Sequence, residues 1–303
     1  MSIKTLICIV GPTGIGKTAL SIAFAKAYNT SILSSDSRQF YKEMTIGTAV
    51  PEKEELEAAP HHFIQNRSIH DAYSVGDFER EVTQLLPELF HKNKLLIMVG
   101  GSALYEKAVT HGLDDLPEVP SEVLQSITAE FEQHGLPWLQ EMVKQVDPVF
   151  YAQTDVQNPR RLLRALSVYN ATGKRLSSLQ TGTPRQRDFN VIKVGLYAER
   201  PALYERINQR VDRMVEIGLA EEAKRLYPYR HLKALQTVGY QEFFGEFDGL
   251  HNRAESIRLV KRNTRRFAKR QLTWYRKDKD VHWFHYQTCH TEIIRQVSGL
   301  LME

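Results

Sequence analysis

The apolar run Thr5-Leu-Ile-Cys-Ile-Val10 passes directly into Gly11-Pro12-Thr13-Gly14-Ile15-Gly16-Lys17-Thr18, and the helix-patterned stretch ALSIAFAKAY follows at once. The octet matches G-x-x-x-x-G-K-[ST], and its flanks predict a buried strand before it and a helix after it, the context in which such a loop binds phosphate. Its glycines let backbone N–H groups turn inward around phosphate oxygens, at a helix N-terminus whose dipole favours anions. Lys17 adds a point charge and Thr18 offers a hydroxyl to Mg²⁺. These residues predict a diphosphate site cradled by Gly11, Thr13, Gly14, Ile15, Gly16, Lys17 and Thr18, with Thr18 as the metal contact.

The rest of the chain extends this beginning into a sheet. Ser31–Asp36, Leu95–Gly101 and Val191–Tyr197 have the composition of buried parallel strands, and Val281–Tyr286 is a fifth candidate. Helical patterns separate most of them, including one capped by Ser74 before DFEREVTQLLPELF. Alternating strands and helices predict an α/β fold with a doubly wound parallel sheet. The alternation stops between about residues 116 and 190, a stretch that opens with Pro117 and Pro120 and closes with TGTPRQRD. Inside it only helices are predicted, one running from Asn158-Pro159 to Gly173. The expected organisation is a core of residues 1–115 and 191–303 with a helical insertion at 116–190.

The two cysteines, Cys8 and Cys289, argue against a disulfide framework or a zinc site. No apolar run approaches the ~18 residues of a membrane span, so the expectation is a cytoplasmic protein without a membrane partner. The net charge is only +4, yet nine Lys or Arg and no Asp or Glu lie between Arg258 and Lys277. Concentrated charge of this kind points to an anionic partner at one place. The segment has helical order, with Val260, Thr264, Phe267, Gln271 and Trp274 on one stripe and Arg258, Arg262, Arg265, Lys269 and Arg276 opposite. Arginines give bidentate contacts to phosphates and aromatics stack on bases. Arg160, Arg161 and Arg164 form a second, weaker cluster.

The third strand ends in Gly100-Gly101-Ser102 where many phosphate-loop proteins place a magnesium-holding acid. Asp36, in SSDSRQFY, is the nearest strand-end acid and should face the same crevice. It suits either a base toward an incoming nucleophile or a place near magnesium or a helix cap. Arg200, Arg206 and Arg210 follow the fourth strand and suit either a departing phosphate or an ordinary surface helix. The pair His61-His62 lacks further ligands at metal-binding spacing, which favours a structural role.

GPTGIGKT, SDSRQFYKEMTIGTA, APHHFI, AYSVGDF, VGGSALY, NPRRLLRAL, RINQRVDRM, TVGY and TRRFAKRQLTWYR occur in this order along nearly the whole chain. Together they resemble the tRNA dimethylallyltransferase family, also called tRNA isopentenyltransferases. The resemblance implies a core like that of nucleoside monophosphate kinases, and transfer of a dimethylallyl group to N6 of the adenine just 3′ of the anticodon. The implied partners are the tRNA anticodon stem-loop and dimethylallyl diphosphate, with Mg²⁺ as cofactor and a monomer as the working form. It implies that Asp36 is the general base, that Ser102 stands near the adenine amine and the diphosphate, and that Arg210 binds the diphosphate. Implied tRNA contacts are Asp36, Ser37, Arg38, Gln39, Arg160, Arg161, Arg164, Thr237, Gly239, Tyr240, Arg262, Arg265, Lys269 and Arg270. Ser102 stands where the family usually has threonine, Val50 replaces a frequent lysine and Gln65 a frequent aspartate. Rival readings are a kinase of nucleosides or small metabolites, which would need no nine-cation helix, and a non-catalytic RNA-binding protein, which would not need Asp36 beside a complete cradle.

Overall fold

A computed structural model describes residues 4–301. Along the chain, β1 (Thr5–Val10) leads into α1 (Lys17–Tyr28), then β2 (Ile32–Ser34), α2 (Lys53–Glu57), β3 (His61–His62), α3 (Val75–Lys92), β4 (Leu95–Val99) and α4 (Ala103–His111). The helical stretch carries α5 (Ser121–Val146), α6 (Pro148–Gln153), α7 (Pro159–Thr172) and α8 (Leu176–Leu179). The chain then adds β5 (Asn190–Tyr197), α9 (Arg200–Glu216), α10 (Leu219–Leu226), α11 (Gln241–Phe247), α12 (Arg253–Tyr275), β6 (Val281–His285) and α13 (His290–Leu300).

The six strands form one sheet in the order β3-β2-β4-β1-β5-β6, and every pairing is parallel. All six residues of β1 are buried. A strand with no exposed position has no reason to alternate in polarity, which is why it reads as a continuous apolar run. Leu6, Cys8 and Val10 pack with Phe40, Phe78 and Met98 on one face, while Ile7 and Ile9 pack with Leu20, Phe24 and Val194 on the other. The strand order turns back at β1, between β4 and β5, and ligand crevices of open parallel sheets form at the carboxyl ends beside such a switch point.

The chain divides into two compact units, residues 1–111 with 187–303, and residues 112–186. The helical unit therefore starts and ends four residues earlier than the prolines and turn residues suggested. Gly112, at φ +81°, ends α4, and Arg187 is already tied to the core through Glu79 Oε1 (2.7 Å) and the Ala108 carbonyl (2.9 Å). Within the helical unit, Ile127, Leu139, Val143, Leu162, Leu166 and Leu176 make a small core. Buried Asp147 caps α6 and accepts from both the amide (2.8 Å) and the hydroxyl (2.6 Å) of Ser177. Helix α7 starts at Pro159 and ends on left-handed Gly173, as Asn-Pro and Gly predict.

A third cluster in the core unit fixes the loop after β2. Buried Glu222 accepts from the amides of Thr45 (3.1 Å), Ile46 (2.9 Å) and Gly47 (2.9 Å) and from the Tyr240 hydroxyl (2.7 Å). A β-carbon on Gly47 would lie 2.6 Å from the Tyr240 ring, so the two segments can meet only with glycine there. Helix α12 spans all three clusters, contributing Val260 to this one and Ala268 and Tyr275 to those on the two faces of the sheet. Its buried edge ends on Tyr275, whereas the sequence pattern put Trp274 there; Trp274 is 43% exposed and stands among the cations. A helical stripe drifts with respect to whole turns, so over six turns a neighbour can take the inward place.

Glu222→Ala would leave three amides and a buried phenol without their acceptor. Each buried unsatisfied group costs about 1–3 kcal/mol, so urea denaturation should show a loss of at least about 4 kcal/mol, near the extreme for single substitutions. Glu222→Gln, which keeps an acceptor oxygen, should lose less.

Candidate active site

At the carboxyl ends of β1, β2 and β4 lies a cavity of about 460 Å³, lined among others by Thr13, Gly14, Gly16, Lys17, Thr18, Asp36, Gln39, Ala49, Ile64, Val99, Gly100, Arg206 and Arg210. Gly14 and Gly16 adopt φ +79° and +111°, conformations that β-carbon-bearing residues rarely take, and they aim the loop's amides toward the start of α1. Ile15 is buried and offers the site only its backbone, while Gly11 supports the loop from beneath β5 without lining the cavity. The Lys17 ammonium bonds the carbonyls of Gly11 (3.0 Å) and Pro12 (2.9 Å). Arg206 donates to the Gly14 carbonyl (3.0 Å) and Arg210 to the Thr13 hydroxyl (3.2 Å).

Two of these cations, Lys17 and Arg210, are closely surrounded by protein. Burial is the main reason that the Lys17 pKa falls to about 8; the Asp36 carboxylate opposes the shift and Arg210 adds to it. Burial likewise lowers the Arg210 pKa, with Asp36 opposing. The cavity therefore holds positive charge that is poorly compensated, which favours an anion within it.

Asp36 lies two residues beyond β2 and lines the cavity; its Oδ1 accepts from the Arg38 amide at 3.1 Å. Ser102 does not line the cavity, and its hydroxyl meets the amide (3.2 Å) and hydroxyl (3.0 Å) of Ser37. This contact holds the Asp36 loop to the end of β4. The backbones approach closely there, since a β-carbon on Gly100 would lie 2.8 Å from the Asp36 nitrogen. Gln39 spends its amide on the carbonyls of Ala49 (2.8 Å) and Thr48 (3.4 Å), holding Ala49 at φ +47° on the cavity wall. Gln65, where the family pattern is broken, bonds the Lys42 carbonyl (3.2 Å) and Thr45 hydroxyl (2.9 Å) and so supports the same loop.

Arg38 donates to the Ala234 carbonyl (3.0 Å), which brings the Asp36–Gln39 stretch beside residues 234–240. Of the latter, Thr237 keeps some surface, but Tyr240 is fully buried and Gly239 is buried with its amide on Glu242. These two residues, expected among the tRNA contacts, hold the loop here, and the Tyr240 side chain reaches no surface.

The cations of the basic helix differ in their surroundings. Arg262 and Arg265 are only part-exposed; Arg262 bonds Asn263 (3.2 Å), and Arg265 bonds Asn208 (2.7 Å) and lies over the Tyr204 ring. Arg258 pairs with Glu255 and Lys261 with Asp212. The outward group is Arg266, Lys269, Arg270 and Lys277 around Trp274, with no ion pair among the described residues. In the helical unit Arg160, Arg161 and Arg164 are exposed around a separate hollow of about 440 Å³.

Sequence reasoning gave two residues no place at the site. His61 lines the cavity, its Nδ1 meets the Ala59 carbonyl at 2.8 Å, and its buried Nε2 has no partner. Gln271 read as one more position on a helical stripe, yet it touches the glycine loop. No local pattern signals either place at the site: the Gln271 contact joins segments far apart in sequence, and the cavity that His61 lines is assembled from several of them.

The Lys17 shift has a measurable consequence. A pKa held below its ordinary value means that the empty site releases the proton as pH rises through about 8, whereas a bound anion retains it. Sulfate keeps its charge in this range, so its affinity should be flat below pH 7 and fall on the order of tenfold per pH unit above 8 by linkage. An affinity independent of pH up to 9.5, measured by calorimetry, would remove Lys17 from the anion site.

The family described as IPP transferase matches residues 39–278. A tRNA dimethylallyltransferase of Christiangramia forsetii is 54% identical over 281 residues, 93% of each chain. One from Cytophaga hutchinsonii is 50% identical over 99% of this chain and 98% of its own. Among solved structures, the tRNA isopentenylpyrophosphate transferase of Bacillus halodurans superposes with a TM-score of 0.73 at 37% identity, covering 99% of this chain and 97% of that one. A eukaryotic dimethylallyltransferase acting on tRNA reaches 0.83 at 25% identity, covering 99% and 80%. With the match spanning nearly the whole sequence and the fold, the chain belongs to the IPP transferase family, the tRNA dimethylallyltransferases.

Proposed function

We propose that this enzyme transfers a dimethylallyl group from dimethylallyl diphosphate to N6 of the adenine adjacent to the anticodon on its 3′ side in tRNA, releasing diphosphate. The observation that carries the reading is that Asp36, the glycine loop and Arg210 line one cavity, with a carboxylate facing a cradle of undercompensated cations. The relatives named above bear the names of transferases, and nothing at the site favours the kinase alternative.

An exocyclic adenine amine is a weak nucleophile because its lone pair is delocalised into the ring. The Asp36 carboxylate accepts its N–H bond, raises its electron density and takes the proton as the new C–N bond forms. The bond between the prenyl carbon and the diphosphate oxygen breaks, and the charge gathers where the loop amides, Lys17 and Arg210 can stabilise it. Ser102 acts through Ser37, by holding the Asp36 loop in place. Thr18 lines the cavity at the start of α1, which fits a magnesium ion held by one protein hydroxyl together with diphosphate oxygens and water. Such an ion would neutralise charge on the leaving group. The adenine leaves the anticodon loop to enter the cavity, and unpaired loop bases do this at least cost. In the core unit the outward cations of α12 and the Ser37–Arg38 stretch offer tRNA phosphate contacts; the helical unit, by itself, offers Arg160, Arg161 and Arg164. This reading takes a single chain in the cytoplasm as the working unit.

Incubation with labelled dimethylallyl diphosphate or labelled ATP should place only the first label in tRNA. Asp36→Asn keeps the shape but cannot take the proton. Single-turnover transfer should slow by about 10²–10⁴ with donor affinity little changed, the range of a positioned base. A rate restored by raising Mg²⁺ would make Asp36 a metal ligand instead. For tRNA affinity, each neutralised phosphate contributes a log–log salt slope of about −0.7 to −0.9. Replacing Arg266, Lys269 and Arg270 together by alanine should flatten that slope by about two to three units; an unchanged slope would mean that this face is merely solvated.

A further inference from the structure

Helix α12 turns its cations outward, and its inward face brings a polar side chain, Gln271, up to the cavity loops. Gln271 is 5% exposed. Its Oε1 accepts from the Thr13 amide at 2.8 Å, and its Nε2 donates to the Gly101 carbonyl at 2.8 Å. A buried amide that left these bonds unmade would pay for its desolvation, so the two partners fix its position. The space is shaped for it, since a β-carbon on Gly101 would lie 2.3 Å from Nε2. The same β-carbon would lie 3.7 Å from an Asp36 carboxylate oxygen, so the clamp closes beside that group.

Its two partners belong to the two halves of the site. Thr13 begins the turn of the glycine loop, and its hydroxyl receives Arg210. Gly101 precedes Ser102, which holds Ser37 next to Asp36. We infer that Gln271 is a positioning residue for the transfer reaction: its amide clamps the diphosphate cradle to the strand-end loop that carries the Asp36 side, and so sets the distance between leaving group and base. The clamp also occupies the Thr13 amide, leaving the amides nearer α1 to face an anion. This inference rests on the proposed transfer, because it assigns the two sides of the cavity to donor and nucleophile.

The test uses the full-length protein with Gln271→Met, similar in size but without either bond, and Gln271→Glu, which keeps an acceptor for Thr13 and loses the donor to Gly101. At saturating donor and tRNA, single-turnover transfer by Gln271→Met should fall on the order of 10–100-fold, the cost of roughly an ångström of misplacement. Donor and tRNA affinities should each stay within about threefold, which separates positioning from uniform binding. Gln271→Glu should lose rate but less of it, and it carries the test if the methionine variant does not fold. Independently of activity, exchange of the Thr13 amide should quicken in Gln271→Met and stay slow in Gln271→Glu. A Gln271→Met rate within about twofold of wild type, or a loss accounted for entirely by weaker donor binding, would overturn the inference. A wild-type protein unable to transfer the group would instead sink the proposed function, while amide exchange would still report the clamp.

Discussion

Helix α12 is the piece on which the rest of the core unit closes. A helix that delivers Val260, Ala268 and Tyr275 to three separate apolar clusters cannot shift along its axis without opening all of them. Close-packed interiors tolerate little displacement before contacts are lost. That rigidity is what allows a polar residue, Gln271, to be placed within hydrogen-bonding distance of both the glycine loop and the end of β4. It also fixes the outward face, where Arg266, Lys269, Arg270 and Lys277 surround Trp274. One helix thus sets the geometry of the cavity and of the surface proposed for tRNA.

The loop after β2 depends on a different device. Its backbone meets residues 65–67 only around a single bridge, Tyr41 with Arg67, and farther along the Glu222 carboxylate accepts from three of its amides. A buried carboxylate is tolerable only when it is well bonded, and the Tyr240 hydroxyl completes the set. The positive φ values of Ala49, Phe63 and Gln65 lie in this same region. Backbone in that conformation persists only where the surroundings over-determine it, and here Gln39 and the Glu222 network supply the constraint.

What could be read in advance follows from the range of each interaction. The glycine loop, the strand runs and the Asn158-Pro159 to Gly173 helix are written in adjacent residues and were legible from local chemistry alone. The position of Asp36 was legible one step further on, because a strand-end acid in a parallel sheet faces the crevice. Both ends of the helical stretch fall four residues earlier than expected, with its extent unchanged, since prolines mark turns but not which side of a turn packs with the core. The inward edge of α12 was misjudged because Trp274 and Tyr275 are both aromatic, and only the sheet decides which is covered. Tyr240 resembled a tRNA contact by its motif, yet its partner Glu222 lies 18 residues away, where no spacing rule reaches.

The division of the core between two stretches of chain bears on the order in which the protein is made. Residues 1–111 leave a ribosome with β1 to β4 but without β5, β6 or α12. Until residue 190 appears, β1 is an edge strand with unpaired groups along one side, the condition that invites pairing with other chains. The loop amide of Thr13 waits longer still, for a glutamine 258 residues downstream. Nascent chains should therefore keep an open, adhesive sheet through most of synthesis, and a message cut short before α12 should yield a product that chaperones hold instead of one that is partly active.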